Sequence, residues 1–210
     1  MPFSGQNRAP GAIAVGRNGL VRRPARRYLG RTPELIPPTT RPHAAFLECR
    51  DDWGRGLDHE DGFGLSVDDD VDSPAGFAAW VHARTRGDHP ASEPCPDRPH
   101  GSPRWIVEDG RVLGGIALRH HFDDTVGRIG YGVRPSARRR GLASWALGET
   151  LERARVVLGL DRVLIPCLAD NVASARTIER NGGVLECIRV NALGDRVRRY
   201  WIDVDRGRPE

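Results

Sequence analysis

There is not one lysine in this chain: all 32 of its basic residues are arginine. Together with 25 glycines and 16 prolines, this reads as a biased coding composition, so an arginine cluster alone does not mark a binding site. Cysteine is scarce as well. Cys49, Cys95, Cys167 and Cys187 are scattered, with no Cys-x-x-Cys pair, which excludes a zinc ribbon, a disulfide framework and a thiol-redox motif, and favours a reducing cytoplasm. No metal is expected. No run of 18 apolar residues occurs, so no membrane-crossing helix is expected, and Ala12-Ile13-Ala14-Val15 is too short for a signal-peptide core. Two phosphate-binding signatures are missing too: no Gly-Lys-Ser/Thr follows the glycine-rich turns, and there is no Gly-x-Gly-x-x-Gly.

What is present fits one ordinary domain with a tail: 210 residues, 39% hydrophobic, 29% charged, net charge +4. Residues 1–32 are read as a disordered extension, since 1–31 carry seven arginines, no acidic residue and no sustained periodicity. The domain is placed at 33–205 and a short tail at 206–210. Glu34-Leu35-Ile36 reads as an edge strand stopped by Pro37-Pro38. A helix follows from Thr40 to before Gly54, and a second begins at Ser73-Pro74 with Ser73 as N-cap. Between them lies an acidic run (Asp58, Glu60, Asp61, Asp68, Asp69, Asp70, Asp72) that reads as a solvated loop. Residues 87–103 hold five prolines and read as a long irregular loop.

From Arg104 the pattern becomes that of a sheet. Trp105-Ile106-Val107, a turn at Asp109-Gly110, and a return strand from Val112 to Phe122 form a hairpin. A turn near Asp123-Asp124 leads to a third strand through Val133. Then comes Arg138-x-x-Gly141-x-Ala143, at the point where a strand hands over to a helix of about Leu142 to Leu158. Physically that junction is an anion site. Gly141 lets the backbone turn tightly and approach a ligand, and the first N–H groups of the helix point outward without internal partners. Val163-Leu164-Ile165 reads as a buried strand, Asp170-Asn171 as the cap of a helix ended by Asn181-Gly182-Gly183, and Val184–Val190 with Val197–Val204 as a closing hairpin over Leu193-Gly194-Asp195.

Several stretches carry a family resemblance: Ile-Gly-Tyr-x-Val-Arg-Pro at 129–135, Arg-x-x-Gly-x-Ala at 138–143, Asp170-Asn171-Val172-Ala173-Ser174, and the helix ending in Asn-Gly-Gly. Over about 33–205 the chain resembles the acetyl-CoA-dependent N-acetyltransferases of the GNAT superfamily, in a bacterial branch of predicted acetyltransferases. The resemblance implies an α+β fold with a mixed, mostly antiparallel central sheet of six to seven strands and helices on both faces. It implies acetyl-CoA as co-substrate. The Val133 backbone would pair with the pantetheine amides where the fourth and fifth strands splay. The segment Arg138, Arg139, Arg140, Gly141, Leu142, Ala143 and Ser144 would hold the pyrophosphate, and Asn171, with Ser174, would reach the pantetheine arm.

The chain also departs from that pattern. Ile178 stands where many relatives place a tyrosine acid, and Arg128 stands near where many place a glutamate or histidine. Of the titratable groups nearby, His120 and Tyr131 are the catalytic candidates, with His121 beside them. The expected partner is a small-molecule or peptide amine; nucleic acid is unlikely as a partner, no membrane is involved, and a homodimer is possible. A longer acyl-CoA donor or a non-catalytic acyl-CoA sensor are the alternatives. Deleting residues 1–31 is expected to leave melting temperature and acetyl-CoA affinity nearly unchanged, because they offer no apolar face to a core; a large loss of either means the segment is docked.

Overall fold

The computed structural model describes residues 32–54, 62–88, 100–121, 127–191 and 194–205. The expected N-terminal extension, most of the proline-rich stretch, the Asp123-Asp124 turn, the first part of the acidic run and the C-terminal tail lie outside them. Seven strands and four helices alternate in the order β1 (Glu34–Ile36), α1 (His43–Asp52), α2 (Pro74–Thr85), β2 (Gly101–Glu108), β3 (Arg111–Arg119), β4 (Ile129–Val133), α3 (Leu142–Leu158), β5 (Arg162–Leu168), α4 (Val172–Arg180), β6 (Val184–Val190) and β7 (Arg196–Asp203). A single 3-10 turn, Pro135–Ala137, separates β4 from α3.

The strands divide into a four-stranded sheet in the order β1-β2-β3-β4 and a three-stranded sheet in the order β5-β7-β6, antiparallel throughout. The two meet at one point. The Arg128 N–H donates to the Leu164 carbonyl at 3.0 Å, just before β4 begins. Beyond it no ladder pairs β4 with β5. The fourth and fifth strands are therefore joined at one end and open at the other.

Two buried clusters lie on opposite faces of the first sheet, as the alternation of a strand dictates. Trp105 and Val112 face α1 and α2, packed among Phe46, Phe77 and Trp80; Phe46 sits 5.3 Å from Trp105 and 5.0 Å from Phe77, ring to ring. Ile106, Leu113, Ile116 and Leu118 face the other way and join Leu142, Ala146, Leu147 and Leu151 of α3, Ile178 of α4 and Tyr200 of β7. Each large aromatic so buried contributes a few kcal/mol of the order of 2–3.

Local signals place most boundaries. The Ser73 side chain accepts from the Gly76 N–H with Pro74 at the first turn, and Asp109 and Gly110 both take positive φ (50° and 75°), the primed geometry a two-residue hairpin needs. The start of β2 differs from expectation: it begins at Gly101, so Pro103 lies inside a strand, opposite Ala117. It is tolerated there because β1 reaches only to Trp105, leaving no donor required on that side. The return strand is shorter than its pattern suggested, ending at Arg119.

The chain at Gly62 lies against the sheet. A Cβ on Gly62 would overlap the Gly115 carbonyl and the Gly132 N–H, and Gly62 also has φ +80°, so this is a backbone-to-backbone contact that only glycine allows.

α1 is bolted to the far end of β4 by ions. Arg134 is 5% exposed; its Nε donates to Asp52 at 2.7 Å and its two Nη groups to Glu48. The same Asp52 oxygen accepts from the Ser136 N–H (3.2 Å) and hydroxyl (2.6 Å). These bonds, Arg134 first, hold the Asp52 carboxyl down to about 2. A carboxyl whose folded pKa is depressed stabilises the fold above its unfolded value, near 3.9, and that share is lost as pH falls through about 2. Asp52→Asn should therefore lower stability by roughly 1–3 kcal/mol at pH 7, with the gap closing between pH 4 and 2. Urea titrations of both proteins at pH 7 and 2.5 check this; a gap independent of pH refutes it.

Candidate functional site

The opening between β4 and β5 is where the chain exposes ordered backbone to a ligand. The Arg134 N–H donates back to Leu113 of β3 at 2.9 Å, so the neighbouring Val133 carbonyl, one residue out of phase, faces the opening. Val133 itself is buried. Further on, Arg139 and Gly141 adopt left-handed φ of 62° and 82°, and α3 starts with no side chain capping its N-terminus. Two left-handed residues ahead of an uncapped helix turn the backbone N–H groups of Arg139 to Ser144 outward around one concavity.

The side chains of this loop mostly face away from that concavity. Arg140 makes a two-pronged ion pair with Glu108 of β2 (2.8 and 2.6 Å), and Glu108 is buried. Arg138 donates from Nε to the Val133 carbonyl at 3.0 Å, its guanidinium lying 4.9 Å from the Trp53 ring. Leu142 is buried in the core and Ala143 packs on it. Ser144 accepts from the Asn181 amide through its hydroxyl and carbonyl, both at 3.2 Å, which ties α3 to the end of α4. The anion-binding capacity of this loop therefore lies in its backbone.

On the other side of the opening, Asn171 caps α4: its Oδ1 accepts from the Ser174 N–H at 3.0 Å. Tyr131 reaches across from β4 and sets its hydroxyl 2.9 Å from the Ser174 hydroxyl. Two candidates separated by 43 positions in sequence are thus one hydroxyl pair bridging β4 and α4. Ile178, one turn further along α4, is completely buried in the core and carries no acid–base chemistry.

His120 takes a different place from the one expected of a base. Its Nε2 lies 2.9 Å from the Ser102 hydroxyl, and that hydroxyl donates its one proton to the Asp88 carbonyl, so Nε2 carries the hydrogen. The remaining lone pair, on Nδ1, is buried without a partner. The ring meets His100 edge-on at 4.9 Å. Burial first, then His100, push the His120 pKa down to about 4, so it is neutral at pH 7 but weakly basic. His120 is half-buried just past the end of β3, against Ser102 and His100. The exposed His121 lies 5.1 Å from the His100 ring.

On the α1/α2 face of β4, sequence reasoning had no candidate, and the structure shows why. The alternation that sends Ile129, Tyr131 and Val133 to the α3 side leaves Gly130 and Gly132 on this one. Arg119 lies across it, its guanidinium nitrogens 3.3 and 3.6 Å from where a Gly130 Cβ would be. Trp53, Asp52 and Glu108 were also missed as neighbours of the motif. None follows a local pattern, because each comes from an element distant in sequence. Among the described residues no group of three or more His, Cys, Asp or Glu side chains is placed to hold a metal ion.

Comparison with known proteins gives the same address. A family model described as an acetyltransferase (GNAT) domain matches residues 25–184. No curated protein sequence matches the chain. Among solved structures, an acetyltransferase from Salmonella typhimurium that modifies the N-terminal serine of ribosomal protein L7/L12 aligns at 17% identity and a TM-score of 0.60, covering 83% of this chain and 96% of that one. RimJ of Mycobacterium smegmatis, in complex with CoA-disulfide, aligns at 18% identity and 0.60, covering 81% of each chain. The microcin C7 self-immunity acetyltransferase MccE, in complex with acetyl-CoA and AMP, aligns at 14% and 0.57, covering 81% and 92%. At such identities these likenesses establish the fold, while the family match spans well over half of the chain. This protein belongs to the GNAT acetyltransferase family.

Proposed function

We propose that the protein transfers the acetyl group of acetyl-CoA to a primary amine by direct attack, without a covalent enzyme intermediate. The observation that carries this reading is the uncapped N-terminus of α3 behind two left-handed residues, beside the edge of β4 at Val133 that no strand of the sheet pairs. A pyrophosphate satisfies the N–H groups of Arg139 to Ser144, and the pantetheine arm lies along β4 as an added strand, with the Asn171 amide on its far side. The thioester end then comes to the join at Arg128 and Leu164. There the space is small: Gly127 packs so closely on Leu164 and Pro166 that a Cβ would overlap both. That favours a short acyl group over a longer one.

In the reaction the amine lone pair attacks the thioester carbon, a C–N bond forms, the C–S bond breaks, and the amine proton passes to solvent. The protein supplies alignment and fixed dipoles. The departing sulfur takes its proton from the Tyr131–Ser174 hydroxyl pair or from water, since Ile178 offers none. On the amine side, β4 presents only Gly130 and Gly132, and His120 is turned away. The acceptor must therefore arrive neutral. An α-amino group, pKa about 7.7–8.0, is neutral roughly a tenth of the time at pH 7, against about one molecule in several thousand for a lysine-like amine near 10.4. The difference is about 3–4 kcal/mol. The Salmonella acetyltransferase named above acts on an N-terminal amine, which supports the same acceptor class here.

Two outcomes are expected. Gly141→Glu strains a left-handed position and puts a negative charge at the helix N-terminus, so acetyl-CoA affinity by calorimetry should fall at least about tenfold in the folded variant; unchanged affinity removes the site. Second, turnover should rise from pH 7 to 9, with α-amines preferred over ε-amines, and His120→Ala should cost at most about a hundredfold. A flat profile with a lysine-like amine as best acceptor would mean an efficient base is at work, and a non-catalytic sensor would show tight acetyl-CoA binding with no CoA release for any amine.

A further inference from the structure

Val133 carries the one backbone carbonyl of β4's end that faces the opening, and it is already taken. Arg138 folds back over the turn and donates its Nε–H to that oxygen at 3.0 Å. The same guanidinium lies over the Trp53 ring, 4.9 Å from its centroid, and Trp53 is the C-cap of α1. Arg138 thus touches three things at once: the strand edge, the turn before α3, and the helix on the acceptor side.

We propose that Arg138 is an exchange residue: it holds the Val133 carbonyl while the opening is empty, and yields it to the pantetheine N–H when acyl-CoA enters. This rests on the binding mode proposed above and adds to it a competition within the site. Arg138 occupies the open side of that carbonyl, the side from which the N–H of an added strand must approach, so the guanidinium has to move aside for the arm to pair there. The displaced guanidinium leaves the Trp53 face and turns to the nearest new anion, the pyrophosphate at Arg139 to Ser144, where a charge-assisted bond replaces a neutral-acceptor one. Of the neighbouring arginines, two are tied elsewhere, and Arg138 is the one that rests on the Val133 carbonyl. Arg140 is held by buried Glu108, and Arg134 by Asp52 and Glu48. Because Trp53 ends α1, the same step changes what the acceptor-side helix rests on, so cofactor occupancy is felt on the amine side before any chemistry.

The signature of such an exchange is a reversal of sign between two ligands. S-acetylpantetheine has the arm but no pyrophosphate; acetyl-CoA has both. In Arg138→Ala, S-acetylpantetheine should bind about two- to tenfold more tightly than in the wild type, the range of one net hydrogen bond no longer competed for. Acetyl-CoA should bind about tenfold or more weakly, because the pyrophosphate loses its mobile cation. Affinities are read by calorimetry for acetyl-CoA and by ligand-observed NMR for the fragment, with circular dichroism and melting temperature as the check of folding. A loss of affinity for both ligands, or no change for either, overturns the exchange and leaves Arg138 a structural brace. A second reading uses the native Arg138: saturating acetyl-CoA should shift the tryptophan emission of the wild type, and Trp53→Phe should abolish that shift. An undiminished shift in Trp53→Phe also overturns the proposal, whatever the fate of the Arg138 variant. If the wild type fails to bind acetyl-CoA at all, it is the proposed function that falls.

Discussion

The rest of the structure depends on Arg134. It stands where β4 ends, buried, with its N–H on β3 and its guanidinium on Asp52 and Glu48 of α1. A buried guanidinium without partners costs several kcal/mol, so the end of β4, the turn that follows and the C-terminal half of α1 are obliged to stay together. Ser136, on that turn, joins the same carboxylate. The strand that opens away from β5 is therefore held in place from the opposite side. It can present free backbone without losing its position.

What is held there is mostly main chain. The concavity before α3 is made by two left-handed residues and an uncapped helix start, with Arg140 engaged on Glu108 and Arg138 on Val133 and Trp53. On its α1/α2 face β4 has only Gly130 and Gly132, with Arg119 and Gly62 lying against them. Backbone dipoles of this kind need no reorganisation as charge develops, and in the function proposed above they would meet the part common to every acyl-CoA. Acceptor choice then falls to pieces the sheet does not fix, such as the Gly62–Gly64 loop lying on Gly115 and Gly132, and Arg119 lying across Gly130.

The missing tyrosine of α4 shows how one position changes the chemical question. Ile178 fills core volume between Gly183 and the sheet, and the hydroxyls nearest the opening are those of Tyr131 and Ser174, in contact with each other. His120 is the reverse case: a titratable group of the right type whose surroundings, its burial first and then His100, lower its basicity.

The chain's local chemistry settled which elements form and where they stop. Alternation gave β2 and β3, the three- and four-residue spacing gave α3, Ser73 and Asn171 were legible as caps, and Gly141 as the turn that starts α3, because each of these depends on neighbours within about four residues. The resemblance at 129–143 and 170–174 named the family for the same reason: both are contiguous segments. What only the tertiary structure decided are the relations across long separations. Pro103 sits in a strand because β1 happens to be short. Tyr131 belongs with Ser174, Arg140 with Glu108, and Arg138 with Trp53, and no spacing in the sequence pairs them. The surroundings of His120 are of the same kind. An imidazole's basicity is set by what desolvates it, and residues 100, 102 and 120 become neighbours only once β2 and β3 have paired.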